Sequence, residues 1–151
     1  MTARRRDGVS VEAMRARIRE AGLRVTAPRV AVLRQLLAAS SPVTHAALSE
    51  ALAPAGWDRA TLYRNLIDLT DAGILQRSDV GDHVWRFEVR AGNASGAHAE
   101  AQHPHFVCGD CGDVVCLPIE AVHVSGGRGL PKSLGTGVVE IQVKGLCDRC
   151  A

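Results

Sequence analysis

Two Cys-x-x-Cys pairs, Cys108/Cys111 and Cys147/Cys150, stand with 35 residues between them; no other feature so narrows what this chain can fold into. Each pair lets one tight turn present two sulfurs to the same ion, and Zn²⁺ favours four such ligands in a tetrahedron. A shared ion would brace two distant segments against each other, because the unfolded chain has no preformed site. His103-Pro104-His105 runs directly into the first pair. In an extended strand both imidazoles leave the same face, since side chains two apart project alike. The C-terminal half therefore reads as a metal-handling module, and a redox pair is the alternative for the cysteines.

A chain of 151 residues has room for one ordinary domain or two small ones, and a small core gains from a metal staple or a dimer contact. Hydrophobic residues at 46% and charged residues at 23% describe a folded chain rather than a disordered one. No apolar run reaches membrane-spanning length, and Arg4-Arg5-Arg6 is not followed by the apolar segment of a secretory signal. The expectation is a cytoplasmic protein with no membrane partner, where thiols stay reduced and paired cysteines bind metal. Five cysteines leave Cys116 over, which argues against a disulfide framework.

The net charge of +2 is unevenly spread. Residues 1–30 carry eight arginines against Asp7, Glu12 and Glu20, whereas residues 89–151 carry five basic and six acidic residues. A basic front on a neutral back suits a polyanion partner, with a solvated helical face as the plainer reading.

Apolar residues at 11, 14 and 18 have helical spacing and end at Gly22. Thr26 caps a second predicted helix with Pro28 in its first turn and a stripe of Val30, Leu33 and Leu37, closed by Ser40-Ser41-Pro42. Thr44 caps a third, carrying Leu48, Ala51 and Leu52 and stopped by Pro54-Ala55-Gly56. Asp58 caps a fourth, with Leu62, Leu66 and Leu69 inward and Gly73 at its end. Three short helices leading to a fourth suggest a helix-turn-helix. The β-like runs 74–77 and 83–89 around a Gly/Asp turn make a hairpin where a winged helix carries its wing. In this reading His83 packs on one strand face with Trp85 and Phe87.

The resulting expectation is an α+β chain. A winged helix-turn-helix domain occupies residues 1–90, a small polar linker 91–102, and a small α/β domain 103–151 with strands at 104–108, 113–117 and 138–144. The glycine-rich stretch 123–137 should hold no long helix. The fourth helix is the candidate DNA reader. Arg59, Thr61, Tyr63, Arg64 and Asn65 are its candidate phosphate and base contacts, against the plainer reading of an ordinary amphipathic helix.

Five stretches in order decide between these readings: REAGLRVTAPRVAVL (19–33), ATLYRNLIDLTDAGIL (60–75), VWRFE (84–88), HPHFVCGDCG (103–112) and CDRC (147–150). Together they make the chain resemble the ferric uptake regulator family of metal-responsive repressors along nearly its whole length. The resemblance implies an N-terminal winged helix, a C-terminal dimerisation domain, a structural zinc on Cys108, Cys111, Cys147 and Cys150, and an exchangeable metal between the domains. It places Arg24, Thr26 and Arg29 near the DNA backbone and Tyr63 and Arg64 in the recognition helix. His103, His105 and Glu88 match its regulatory metal ligands.

Three departures stand out. Nothing at Ser41-Pro42 can replace the histidine that the family often carries there, although His45 lies close by. Cys116 stands where many members have a carboxylate, either as a buried thiol or as a ligand that favours zinc. The glycine-rich stretch replaces the family's usual helix. His98, in the linker, is a further candidate ligand. The implied function is that of a homodimeric repressor, not an enzyme, binding double-stranded operator DNA when a divalent ion (Fe²⁺, Zn²⁺ or Mn²⁺) fills the second site. The alternatives are a winged-helix regulator with structural zinc alone, and a zinc metalloenzyme using His103, His105 and Glu88.

Overall fold

The computed structural model describes residues 9–90, 104–125, 127–134 and 141–151. Helix α1 spans Val11–Glu20, and the Ser10 side chain caps it by accepting from the Ala13 N–H at 3.1 Å. Met14 and Ile18, four residues apart and hence on one face, are both buried. Helix α2, Ala27–Ala38, starts from the Thr26 cap with Pro28 in its first turn, where a missing N–H is tolerated. Its buried set is broader than the expected stripe. Val32, Leu33 and Leu36 are fully enclosed while Val30 and Leu37 are only partly so. The reason is tertiary: α2 packs against α1 and, on other sides, against the fourth helix and a strand described below.

A two-residue strand β1, Val43–Thr44, leads into α3, His45–Ala51, capped by Thr44. A 3₁₀ turn at Ala53–Ala55 and the left-handed Gly56 (φ 78°) then redirect the chain. Helix α4, Arg59–Asp71, is capped by Asp58, whose carboxylate accepts from the Thr61 N–H at 2.8 Å. Leu62, Leu66 and Leu69 on α4 are enclosed, and the core they enter also takes Leu48, Ile74, Leu75 and Phe87.

Strands β2, Leu75–Asp79, and β3, Trp85–Val89, form the antiparallel hairpin, with β1 on the far side of β3. The turn is built by Asp79, which accepts from the Gly81 and His83 N–H groups at 2.8 and 3.1 Å. It is braced by Arg86, whose guanidinium forks onto both oxygens of Asp82 at 2.9 and 2.8 Å. His83 corrects the expectation: it sits in this turn at φ 60° with its side chain 96% exposed. The strand begins only at Trp85, so alternation does not carry His83 onto the face of Phe87.

The second sheet has β4, His105–Cys108, at its centre. Strand β5, Val114–Cys116, pairs with it antiparallel, and β6, Gln142–Gly145, pairs parallel on the other side. Between β5 and β6 the described residues contain only 3₁₀ turns, at Ile119–Ala121 and Lys132–Leu134, in keeping with the glycine content. Of the expected strand at 138–144, residues 138–140 lie outside the described set, and the described strand runs over Gln142–Gly145. Val80 at the hairpin tip packs with Val107 and Val114, and Gln142 Nε2 donates to the Asp79 carbonyl at 3.2 Å. The hairpin thus rests on the second sheet. Among the described residues no helix is long and apolar enough to cross a membrane.

Candidate metal centres and nucleic-acid face

The parallel pairing of β6 with β4 sets Gly145 beside Cys108, so both Cys-x-x-Cys turns emerge from the same sheet edge. The first turn closes through Gly112 N–H to the Cys108 carbonyl at 3.1 Å, with Gly112 itself left-handed at φ 71°. The second closes through Cys150 N–H to the Cys147 carbonyl at 2.8 Å. The four sulfurs lie within 4.8 Å of one another. Cys111 and Cys147 sulfurs stand 3.7 Å apart, while zinc–sulfur bonds of ~2.3 Å in a tetrahedron place neighbouring sulfurs about 3.8 Å apart.

Backbone amides lower two of the four thiols, whereas Cys111 and Cys150 are raised. The N–H groups of Cys111, Cys147 and Asp110 hold the Cys108 thiol down at about 6, and that of Arg149 lowers Cys147. Cys150 is pushed up instead, first through its hydrogen bond to Cys147. Like charges cannot accumulate on four adjacent sulfurs without a counter-ion. Donor type, spacing and charge all fit a structural zinc.

A second cluster joins the hairpin to the other sheet. Glu88 comes from β3; His105 and Cys116 are directly opposed Cα partners across β4 and β5, which puts them on one face. Glu88 Oε1 lies 3.5 Å from His105 Nε2, and Cys116 Sγ lies 4.0 Å from Glu88 Oε2. Glu88 and His105 are buried, at 5% and 6% exposure, and Cys116 is half-buried. The neighbouring Cys116 and then Glu88 raise the His105 pKa to about 9. A cation bound here would have to displace a proton from this imidazole. One carboxylate, one imidazole and one thiol within 4.8 Å form a donor set that fits a divalent ion.

His103 and His98 lie outside the described residues. His45 does not join the cluster. Its Nε2 lies 2.8 Å from the Arg59 carbonyl and its ring meets Tyr63 edge-on at 5.2 Å, so it ties α3 to α4.

On α4, Tyr63, Arg64 and Arg59 are exposed, as is Arg24 ahead of α2. Asn65 corrects the expectation of a base contact, being 6% exposed and donating to the Thr61 carbonyl at 2.9 Å. The hydroxyl of Thr61 is bound to Asp58 at 2.6 Å, and Thr26 serves as a helix cap. Arg29 forms an ion pair with Asp68 and donates to the Arg24 carbonyl at 2.6 Å. These four side chains hold the helices in place. The outward surface is carried by Arg24, Arg59, Tyr63 and Arg64.

The model of the ferric uptake regulator family matches residues 20–125, most of the chain. The chain belongs to this family. The peroxide-responsive repressor PerR of Staphylococcus aureus (strain Mu50) is 33% identical over 102 residues, covering 66% of this chain and 63% of that protein. The chain thus spans under two thirds of the length of the curated relatives it matches. The ferric uptake regulator of Pseudomonas aeruginosa, solved with manganese, is 28% identical with a TM-score of 0.60, covering 89% of this chain and 98% of that one. The ferric uptake regulator of Helicobacter pylori shares the fold, with a TM-score of 0.62 at 15% identity and 95% coverage of both chains. The family match ends before Cys147 and Cys150, so the second pair joins the zinc set on geometry.

Sequence reasoning missed Gln76. It is the cross-strand partner of Glu88, and its Nε2 donates to Glu88 Oε1 at 2.9 Å. Once the hairpin turn is centred on Asp82, register alone sets these two residues opposite each other.

Proposed function

We propose that this chain is a metal-responsive, DNA-binding transcriptional repressor that acts as a homodimer in the cytoplasm. Residues 1–90 form its winged-helix domain, 91–102 a linker, and 103–151 a dimerisation and metal domain. Zinc on Cys108, Cys111, Cys147 and Cys150 is structural. An exchangeable divalent ion is bound by Glu88, His105 and Cys116, with His103 as a further ligand on sequence grounds. The observation that carries this reading is the cluster of Glu88 with His105 and Cys116. Its donors come from the hairpin that follows α4 and from the second sheet, so occupancy favours the arrangement that brings the two together. Family membership supports the same direction, and relatives are named as a peroxide-responsive repressor and a manganese-bound regulator.

When bound, the second ion supplies a cationic clamp between hairpin and sheet. Gln76 orients the carboxylate, and Val80, Val107 and Val114 keep the neighbouring surfaces in register. Arg64 and Tyr63 on α4 read base edges while Arg24 and Arg59 hold phosphates. Two-fold symmetry then calls for a pseudopalindromic operator. Neither family membership nor the geometry favours an enzyme at the same cluster.

The test begins with DNA enriched from a random pool by the metal-loaded protein. Gel shifts then compare chelated protein with protein given back Fe²⁺, Zn²⁺ or Mn²⁺, beside His105→Ala. Binding restored by metal in wild type and lost in His105→Ala is the expected result. Equal binding with and without metal would overturn the sensing role and leave a winged-helix regulator with structural zinc alone.

A further inference from the structure

We propose that Cys116 binds the exchangeable ion as a thiolate and that its sulfur makes this site select zinc over Fe²⁺ and Mn²⁺. The inference rests on the reading of Glu88 and His105 as ligands of that ion and goes on to name which ion it is.

Placement is the first ground. Cys116 and His105 are opposed across β4 and β5, and register of this kind fixes both side chains on the face that Glu88 approaches. A tetrahedral ion with bonds of about 2.0–2.3 Å spaces its ligand atoms roughly 3.3–3.8 Å apart. His105 Nε2 lies 3.5 Å from one Glu88 oxygen and Cys116 Sγ 4.0 Å from the other, and one ligand atom from each of the three residues lies within 4.8 Å of the other two, a spread that an ion need only draw in slightly.

Surroundings are the second ground. A cysteine that merely fills space sits among methyl groups. Cys116 is half-buried, and a buried carboxylate and a buried imidazole bring their ligand atoms within 4.8 Å of its sulfur.

Ligand count is the third. Ser41 and Pro42 offer no imidazole, and His45 is held at the Arg59 carbonyl. The donors among the described residues are then Glu88, His105 and Cys116. Three protein donors with one sulfur, and a fourth position left open, suit tetrahedral Zn²⁺, whereas Mn²⁺ favours six harder oxygen or nitrogen donors and Fe²⁺ binds more weakly than Zn²⁺ in the general affinity order.

The experiment uses full-length protein isolated with zinc in its four-cysteine site and titrated with Co²⁺. The expected spectrum has tetrahedral d–d bands and a sulfur-to-cobalt charge-transfer band, with Cys116→Ser losing the latter. Competition titrations should show wild type preferring Zn²⁺ over Mn²⁺. Cys116→Asp should reduce that preference by more than the roughly 10–100-fold seen when an outer-sphere partner is lost. A charge-transfer band of equal strength in wild type and Cys116→Ser arises at the four-cysteine site and overturns the inference. So do d–d bands without charge transfer, or an unchanged preference in Cys116→Asp; in either case the Glu88/His105 site still stands. Cobalt uptake that is identical in wild type and His105→Ala overturns the site itself. X-ray absorption on cobalt-loaded wild type answers without any substitution. A cobalt–sulfur distance near about 2.3 Å at the added ion supports the inference, and a shell of nitrogen and oxygen alone overturns it.

Discussion

Replacing Gln76 with methionine removes one hydrogen bond while keeping the length and flexibility of the side chain. That bond runs 2.9 Å from Nε2 to an oxygen of Glu88, a carboxylate only 5% exposed. Hydrogen bonds to charged groups contribute about 1.5–3 kcal/mol, so metal-free protein should lose about that much stability. For a chain of this length the melting temperature would fall by about 3–12 °C. The effect on metal is separable. Gln76 holds Oε1 and leaves Oε2 facing Cys116, which fixes the carboxylate in the orientation the ion needs. Loss of such an outer-sphere partner lowers metal affinity by roughly 10–100-fold. Chelator competition with a metallochromic indicator reads the affinity, and calorimetry of the metal-free protein reads the stability. A lower melting temperature with affinity unchanged within twofold would refute the orienting role and leave Gln76 as a structural residue.

Arg64→Ala should weaken binding to the selected DNA by about 1–3 kcal/mol and affect random DNA much less; equal losses by fluorescence anisotropy would show that α4 reads no bases there. Asn65→Ala should instead lower stability to denaturant by about 1–2 kcal/mol without changing sequence preference, since its side chain bonds its own helix. Cys150→Ser should release about one tightly held zinc per chain by elemental analysis, because a four-sulfur site missing one ligand is no longer closed; full retention of zinc would sink the assignment. Asp82 is held at about 2, first by its hydrogen bonds with Arg86. A lowered carboxylate stabilises the fold above its unfolded pKa of 3.8, and the contribution is lost as pH falls through about 2. Acid unfolding of Asp82→Asn should therefore be less pH-dependent between those values, and superimposable profiles would count against the fork.

Much of the helical half is legible because its signals are local. Asp58, three leucines and Gly73 mark both ends and the inner face of α4, and Thr26 and Thr44 mark two further caps. The same periodicity also holds the correction to Asn65. It lies three residues after Leu62 and four before Leu69, on the buried stripe, and its polar type drew attention away from that position. The reading of His83 failed for a different reason. A period of two cannot say where a strand begins, and the Asp79 side chain extends the turn to residue 84. Strand β1 has only two residues and exists because Phe87 and Arg86 pair with it from far along the chain. The Arg29–Asp68 ion pair is equally non-local, being 39 residues apart. At the candidate metal centres, residue types and spacing singled out the four paired cysteines, Glu88 and His105 as candidates and left Cys116 open between packing and ligation. The opposition of His105 to Cys116 and of Glu88 to Gln76 needed a register that only the folded sheets supply.

The parallel partnership of β4 with β6 also shapes how the chain assembles. Strand β6 must return to β4 across the 35 residues that lie between Cys111 and Cys147. Closing a loop of that length costs about 3 kcal/mol in chain entropy, and non-local pairings of this kind form slowly. Strand β6 is therefore set to pair late, and an ion on Cys108, Cys111, Cys147 and Cys150 would hold it there by capturing both cysteine turns. Stripped of that ion, β6 becomes the segment most ready to detach. Its amides would exchange with solvent ahead of those in α2 and α4, and a cell short of zinc would offer proteases this C-terminal end while the helices were still intact.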